Sequence, residues 1–213
     1  MTRCCNARGC DAFFGRRFAR HVARRYRKRG LDAPARRMVE FLEARGLEGA
    51  TVLEIGGGVG EIQIELLKRG AARAVNLELS PAYDAEAEAL LRETALVDRV
   101  ERRLHDLAAD PEAVEPADVV VLHRVVCCYP DYERLLGAAA DRARRLVVFS
   151  YPPRNAASRL FVAAQNLVFR LTRKEFRTFA HPPGALLRVL GDRGLRRTFA
   201  HRGLIWRVAG LER

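Results

Sequence analysis

The chain has 213 residues, a length that favours one domain with an appendage over two full domains. Its residues are 49% hydrophobic and 30% charged, which is typical of a globular protein. No uncharged apolar run reaches about 18 residues, so no membrane span is predicted. No apolar signal core follows the basic N-terminus, which argues against export, and we expect a cytoplasmic protein whose cysteines are mostly reduced.

The formal charge of +12 is concentrated near the start of the chain. Residues 1–40 hold twelve basic and three acidic residues, which give +9 of the total. Two interpretations remain open for this charge. The basic residues form the solvated face of a helix, or they contact phosphates or an acidic substrate.

Residues 1–46 are predicted to form a basic, helical N-terminal cap. An apolar stripe recurs every four residues through 11–29, at Phe14, Phe18, Val22 and Tyr26. This spacing is typical of an amphipathic helix, whose stripe needs a surface to cover. A second helix is predicted to run from an Asp32 cap through Ala44, with Pro34 in its first turn.

From Thr51 onward, short apolar runs alternate with helical patterns. Strands are predicted at 51–55, 73–78, 99–104, 117–123 and 145–151, and helices at 61–69, 81–94, 131–143 and 184–192. This alternation indicates a parallel sheet with helices on both faces. The run "ADVVVLH" predicts a strand buried on both sides. The last two runs, "LRRTFAH" and "LIWRVAG", are joined so closely at Arg202 and Gly203 that they must pair antiparallel.

The stretch "LEIGGGVG" (53–60) follows the first predicted strand. Ligands of open parallel sheets bind beyond the carboxyl ends of the strands, and glycines allow the backbone to approach them closely. A dinucleotide fingerprint would place its third glycine at position 61, which is Glu61. Gly56, Gly58 and Gly60 instead follow the tighter pattern G-x-G-x-G, preceded by Glu54.

"VLEIGGGVG" resembles the first motif of class I S-adenosylmethionine-dependent methyltransferases. The resemblance implies that this turn cradles the methionine end of S-adenosylmethionine, that Glu78 accepts both ribose hydroxyls, and that Asp106 meets the adenine amino group with Leu107 beside the ring. It also implies a Rossmann-like α/β fold over 47–213, with seven mostly parallel strands and an antiparallel C-terminal pair. The alternative roles are a solvated strand end for Glu54, a helix cap for Glu78 and a turn residue for Asp106.

Within this family, "RLVVFSYPPR" and the apolar insertion at 152–182 are similar to magnesium-protoporphyrin O-methyltransferases and related small-molecule enzymes. The stretch "HRVVCCYPD" departs from their pattern. In the insertion, apolar residues fall at helical spacing, at Leu160, Phe161, Ala164, Leu167, Val168, Phe169 and Leu171. We expect an apolar lid over the site, and therefore an apolar acceptor; the alternative is a helix that only contributes to the core.

Methyl transfer is an in-line displacement that depends mainly on alignment, and it needs a general base only when the acceptor arrives protonated. His123, Tyr129 and His181 are the candidate catalytic residues. His123 ends the buried strand, where it is a candidate base or acceptor orienter. Arg124 is a candidate partner of an acidic substrate or of a surface acid. A structural histidine and a tyrosine at the edge of the core are the alternative interpretations.

Five cysteines form two groups, Cys4, Cys5 and Cys10, and then Cys127 and Cys128. Thiolates suit zinc, copper(I), an iron–sulfur cluster or a soft substrate, but the spacing matches no common metal motif. Ordinary thiols are favoured, and no metal site is predicted. The predicted function is methyl transfer from S-adenosylmethionine to a small, apolar or acidic acceptor. The alternatives are an RNA methyltransferase anchored by the basic N-terminus, which is not favoured, and a non-catalytic thiol sensor.

Overall fold

A computed structural model describes residues 13–213, which form one seven-stranded sheet with helices on both faces. The strands are β1 (Thr51–Ile55), β2 (Arg73–Glu78), β3 (Val100–Leu104), β4 (Ala117–Leu122), β5 (Ala143–Tyr151), β6 (Arg196–Arg202) and β7 (Arg207–Glu212). Their order is β3-β2-β1-β4-β5-β7-β6, and β7 is the one strand of this sheet that runs antiparallel to the other six. The predicted fold class is confirmed.

The helices alternate with the strands as predicted. They are α1 (Arg16–Arg29), α2 (Ala33–Glu43), α3 (Glu61–Lys68), α4 (Asp84–Glu93), α5 (Tyr132–Asp141), α6 (Ala156–Leu171) and α7 (Pro183–Gly191). Asp32 caps α2 by accepting a hydrogen bond from the Ala35 N–H group, as its position predicted. Within the described residues, no helix is both long and apolar enough to cross a membrane.

Two hydrophobic cores lie on opposite faces of the sheet. Val119 and Val121 of β4 pack into the core shared with α1 to α4. Val120 and Leu122 of the same strand pack into the core shared with α5 and α7. Because successive side chains of a strand point to opposite faces, a strand covered on both sides is apolar at every central position. This explains the uninterrupted run that β4 shows in the sequence.

The chain order reverses between β1 and its two neighbours, β2 and β4. The crossover from β1 leads to β2 on one side, and the later strands add on the other side, beginning with β4. Such a reversal leaves a crevice at the carboxyl ends of the strands, where ligands of this architecture bind. The sheet topology therefore places the glycine-rich turn after β1 at the mouth of a cleft.

The C-terminal hairpin differs from its prediction in the position of the turn. The antiparallel pairing is confirmed, but the turn occupies 203–206 and β7 begins only at Arg207. A Cβ atom on Gly203 would lie 2.4 Å from the Trp206 carbonyl oxygen, so the backbone reverses tightly here. Leu204 and Ile205, which the apolar pattern assigned to the strand, are exposed in the turn.

Candidate active site

A cavity of about 300 Å³ lies at the carboxyl ends of β1 to β4. Its floor is the turn after β1, and its sides are the chain segments that leave β2, β3 and β4. The predicted cofactor residues that line it are Glu54, Gly56, Gly58, Glu78, Asp106 and Leu107. The sheet thus brings together in one cavity side chains that lie up to 53 positions apart in the sequence.

The turn after β1 requires glycine for two physical reasons. Gly56, Gly58 and Gly60 have φ angles of 62°, 55° and 82°, in the left-handed region that other residues rarely adopt. At Gly56, a Cβ atom would also lie 2.5 Å from the Val125 side chain. Gly60 then serves as the N-cap of α3, so the helix begins directly where the turn ends.

Hydrogen bonds hold both backbone polar groups of Gly58. Its N–H group donates to the Glu78 carboxylate at 2.9 Å, and its carbonyl oxygen accepts from the Arg102 guanidinium at 2.8 Å. Arg102, on β3, also donates to Asn76 at 2.9 Å and to Asp84 at 2.8 Å. This buttress of the turn was not predicted from the sequence. It depends on the parallel register that places Asn76 of β2 beside Arg102.

The Glu78 carboxylate is only 8% exposed and ties the end of β2 to the turn. Besides the Gly58 N–H group, it accepts from the backbone N–H groups of Leu79 at 2.8 Å and Ser80 at 3.1 Å. The short 3-10 turn that follows is capped by the Ser80 hydroxyl, which accepts from Ala82 at 3.3 Å. Glu78 therefore does not serve as the cap that the alternative interpretation proposed.

Asp106 follows β3 and contacts one of the candidate catalytic residues. Its carboxylate accepts from the Ala108 N–H group at 3.0 Å and from the Tyr129 hydroxyl at 3.1 and 3.2 Å. Leu107 is buried beside it and also lines the cavity. The structure thus places Tyr129 on the predicted adenine residue, where it orients that carboxylate.

Two further acids, Glu54 and Glu61, line the cavity next to the turn. Glu54 is 2% exposed and accepts from the Gln63 N–H group at 3.2 Å. Burial and the nearby charge of Glu61 raise the pKa of the Glu54 carboxyl well above its usual value. Burial likewise raises the pKa of Glu61, and Arg25 lies 4.0 Å away. Two desolvated carboxyl groups favour a cationic ligand group at this position.

His123 lies at the end of β4 and lines the cavity, and both of its ring nitrogens face protein groups. Nδ1 is 3.1 Å from the Ser150 hydroxyl oxygen, and Nε2 is 3.7 Å from an Asp32 carboxylate oxygen. The Ser150 hydroxyl oxygen also accepts a hydrogen bond from the backbone N–H group of Arg124 at 2.8 Å. Because Ser150 and Asp32 engage the ring from two sides, the geometry fits an orienting histidine better than a free base.

Asp32 connects the N-terminal helices to this histidine. Beyond capping α2, its carboxylate pairs with Arg124 and lies 3.5 Å from Arg25. Burial alone would raise the pKa of Asp32. Three neighbours lower it by more: His123 through a hydrogen bond and its charge, Ala35 through its backbone N–H group, and Arg124 through its charge. The pKa of Asp32 is therefore far below its usual value. Asp32 is therefore a fixed anion among three cationic or protonatable side chains. Its cap role was predicted, whereas this second role was not.

The structure does not bring His181 to the cavity. Its Nε2 atom lies 3.0 Å from the Tyr129 carbonyl oxygen, and its ring packs against Tyr132 and Phe179, with centroids 4.5 and 5.4 Å apart. Burial lowers the pKa of the ring. His181 thus supports the backbone of Tyr129.

The segment predicted as a lid does not line the cavity in the structure. Among the described residues, the outer wall belongs to α1 and the residues just before it, and no residue of 152–182 lines the cavity. The residues that close it are Phe14, Phe18, His21, Val22 and Arg25. The insertion does form a helix, α6, but Leu160, Leu167 and Leu171 point to solvent. Only Phe169 of the predicted apolar set is buried, against Phe13 and Phe176.

Two of the five cysteines lie among the described residues. The Sγ atoms of Cys127 and Cys128 are 3.4 Å apart, and Cys128 lines the cavity. Cys4, Cys5 and Cys10 lie outside the described residues. Among residues 13–213, no group of three or more histidine, cysteine, aspartate or glutamate side chains is arranged to hold a metal ion.

The strand order, the left-handed glycine turn and the acids that end β2 and follow β3 together define a class I methyltransferase, as the sequence predicted. Comparison with known families agrees. Residues 18–205 match the family described as "Methyltransferase domain", so the chain belongs to that family of enzymes.

Solved structures of the same fold include two methyltransferases of similar size or larger. Magnesium protoporphyrin IX methyltransferase from Synechocystis PCC 6803, solved with S-adenosylhomocysteine, is 22% identical with a TM-score of 0.69, over 84% of this chain and 81% of that one. An O-methyltransferase family protein from Burkholderia thailandensis is 19% identical with a TM-score of 0.69, over 92% of this chain and 60% of that one.

The curated relatives are similar over a shorter stretch. Ribosomal protein L11 methyltransferase from Yersinia pestis is 37% identical over 84 residues, which are 39% of this chain and 27% of the relative. The chain thus spans about a quarter of the length of these relatives. The match supports the methyltransferase class and leaves the acceptor to be inferred from the site.

Proposed function

We propose that the chain transfers the methyl group of S-adenosylmethionine to a small, apolar or acidic acceptor. One observation carries this proposal: the left-handed turn and the carboxylates of Glu78 and Asp106 line one cavity of about 300 Å³, near the lower limit of small-molecule sites. Two carboxylates with apolar neighbours are the chemistry that a nucleoside needs, since they accept hydrogen bonds from hydroxyl and amino groups.

The residues present fit the cofactor. Glu78 would hold the ribose hydroxyls and Asp106 the adenine amino group, with Leu107 against the ring. Glu54 and Glu61 would face the positively charged methionine end, where ionisation of a buried carboxyl is favoured by a nearby cation. When bound, S-adenosylmethionine supplies a methyl group on a positive sulfonium, which makes that carbon electrophilic.

The acceptor side of the cavity favours an anion that needs no base. Arg25 and Arg124 both line it, and each guanidinium has more donors than its pairing with Asp32 uses. His123 is held between Ser150 and Asp32, so we assign it the role of orienting the acceptor. Asp32 is a positioning residue that acts through His123 and Arg124. A carboxylate acceptor would attack without losing a proton, which suits this arrangement.

Three of the basic residues of α1 have partners within the domain, which weakens the RNA alternative. Arg27 forms an ion pair of 2.7 Å with Glu93, and Arg20 and Arg25 lie within ion-pair distance of Glu86 and Asp32. Part of the basic character of the N-terminus therefore holds α1 on the domain. The remaining basic residues of α1 are exposed to solvent, namely Arg16, Arg17, Arg24, Lys28 and Arg29. The RNA alternative depends on these residues.

The test is methyl transfer from radiolabelled S-adenosylmethionine into an extract of the source cells, separated into small molecules and precipitable polymers. We expect label among the small molecules, and alkaline hydrolysis should release it as volatile methanol if the product is a methyl ester. Alkali-stable label on a small molecule would reject a carboxylate as the acceptor and would leave the small-molecule proposal standing. Label confined to precipitated RNA or protein would overturn the small-molecule proposal. The basic N-terminus would then be the candidate for binding that polymer.

A further inference from the structure

One face of α6 is apolar and open to solvent. The exposed fractions are 73% for Leu160, 66% for Phe161, 56% for Leu167, 54% for Val168 and 75% for Leu171. At 100° per residue, these side chains fall within a single arc of the helix. Soluble proteins rarely expose so many large apolar residues side by side unless the surface binds something.

The opposite side of α6 is anchored, which fixes the direction of the apolar face. Phe169 is buried against Phe13 and Phe176, with ring centroids 5.4 and 5.7 Å apart. The Asn166 side chain donates to the Thr178 carbonyl oxygen at 2.8 Å and accepts from its N–H group at 3.0 Å. The helix therefore packs on its own domain through one side and keeps the apolar side outward.

The charged residues along this segment of the chain are basic. Residues 152–174 contain no aspartate or glutamate, and the next acid along the chain is Glu175. Their charged residues are Arg154, Arg159, Arg170, Arg173 and Lys174. Arg159 and Arg170 lie together along one border of the apolar arc and are exposed. An apolar helix face bordered by arginines, on a helix without acids, is the pattern of helices that lie in the surface of an anionic membrane.

A second exposed apolar element lies at the carboxyl ends of the parallel strands, as α6 does. Leu204 is 95% exposed and Ile205 is 73% exposed in the turn between β6 and β7. This turn leads into Arg207, which pairs with Tyr151 at the end of β5, a few residues before α6 begins. Both apolar elements thus lie on the side of the sheet where the parallel strands end, which is also the side of the cavity.

We propose that the exposed face of α6, together with the 203–206 turn, docks on the surface of an anionic lipid bilayer. The charge distribution decides between this occupant and a second copy of the chain. A symmetric dimer through α6 would bring the arginines of both copies to one interface with no acid in this segment to pair with them. An anionic bilayer pairs with the same arginines and receives the leucines.

The proposal is tested by flotation of the whole protein with vesicles of phosphatidylcholine alone or mixed with phosphatidylglycerol. We expect binding to the anionic vesicles that weakens in high salt. The double variant Leu160→Glu/Leu167→Glu should reduce the partition coefficient by about tenfold or more, because a carboxylate resists burial and is repelled by the anionic surface. Arg159→Gln/Arg170→Gln should reduce the preference for anionic vesicles.

Val97→Glu is the matched control, because Val97 is 46% exposed and lies before β3, at the opposite edge of the sheet. It should leave vesicle binding unchanged. Thermal unfolding and affinity for S-adenosylhomocysteine show that each variant is folded, whatever the acceptor is. Absence of vesicle binding, or equal loss in Val97→Glu and the double variant, would overturn the proposal. So would a concentration-dependent dimer that only the double variant abolishes.

Discussion

Glu78→Gln separates the two roles that the structure gives this carboxylate. Oε1 accepts from Leu79 and Ser80, whereas Oε2 accepts from Gly58 at the glycine turn. In the variant, the amide oxygen is expected to take the position with two donors. The amide NH₂ group then faces the Gly58 N–H group, donor against donor. The side chain keeps its size but loses both its charge and one acceptor.

The expected magnitude follows from these hydrogen bonds. Loss of one charge-assisted bond to a ribose hydroxyl should weaken binding of S-adenosylhomocysteine by about 2 kcal/mol, or roughly 30-fold. The unsatisfied Gly58 donor should lower the free energy of unfolding by a further quantity of about 1–3 kcal/mol. Both effects arise from the same substitution, so they must be measured separately.

Titration calorimetry with S-adenosylhomocysteine measures the affinity, and urea unfolding measures the stability. Asp118→Asn is the control. Asp118 accepts from the Thr51 N–H group and hydroxyl at 2.8 Å, at the end of β1 remote from the cavity. This variant should lose stability and keep its affinity. If Glu78→Gln also loses only stability, its carboxylate merely braces the turn, and the ribose assignment is refuted.

Three other substitutions test the site. Gly58→Ala should weaken S-adenosylhomocysteine binding about fivefold or more by calorimetry. The alanine relaxes away from the φ of 55°, and restoring the turn on binding costs about 1–2 kcal/mol. Gly184→Ala, in open space, should leave the affinity unchanged. Asp32→Asn keeps a good helix cap but removes the anion beside His123, so it should raise the acceptor KM with the S-adenosylhomocysteine affinity unchanged, and equal damage to both constants would contradict a positioning role. Because the pKa of Glu54 is raised above 4.5 in the folded protein, its contribution to stability falls as the pH rises from 4.5 through the folded pKa. In urea unfolding, Glu54→Gln should therefore be the more stable protein at about pH 8, with the difference closing towards about pH 4, and a constant difference would show that ionisation is not its cause.

The sequence was sufficient for features whose cause is local. The strands and helices were predictable because each has its own hydrophobic period, and β4 because both of its faces are covered. The glycine turn was predictable because left-handed φ angles and close approach both require glycine. The α2 cap at Asp32 was predictable for the same reason, since the signal and its effect lie within three residues.

Features that depend on tertiary neighbours could not be predicted. Arg102 lies in "VERRLHD", where nothing distinguishes it from Arg103, and only the register with Asn76 directs it to Gly58. The apolar pattern of α6 correctly grouped Leu160, Leu167 and Leu171 on one face. It did not show which surface that face meets. The prediction of a lid assumed that the face covers the cavity, whereas these residues are exposed to solvent. A period identifies a face, whereas its partner is determined by the rest of the fold.

The position of α1 explains why the cavity needs the N-terminal helices. Tyr26 donates to Glu65 of α3 at 2.6 Å, and Arg27 pairs with Glu93 of α4, so two helices of the domain hold α1 in place. In that position, Phe14 and Phe18 close the cavity. The aromatic stripe and the arginines therefore act together, since the arginines fix the helix whose aromatic side excludes water. Part of the basic composition of the N-terminus therefore contributes to closing the cavity.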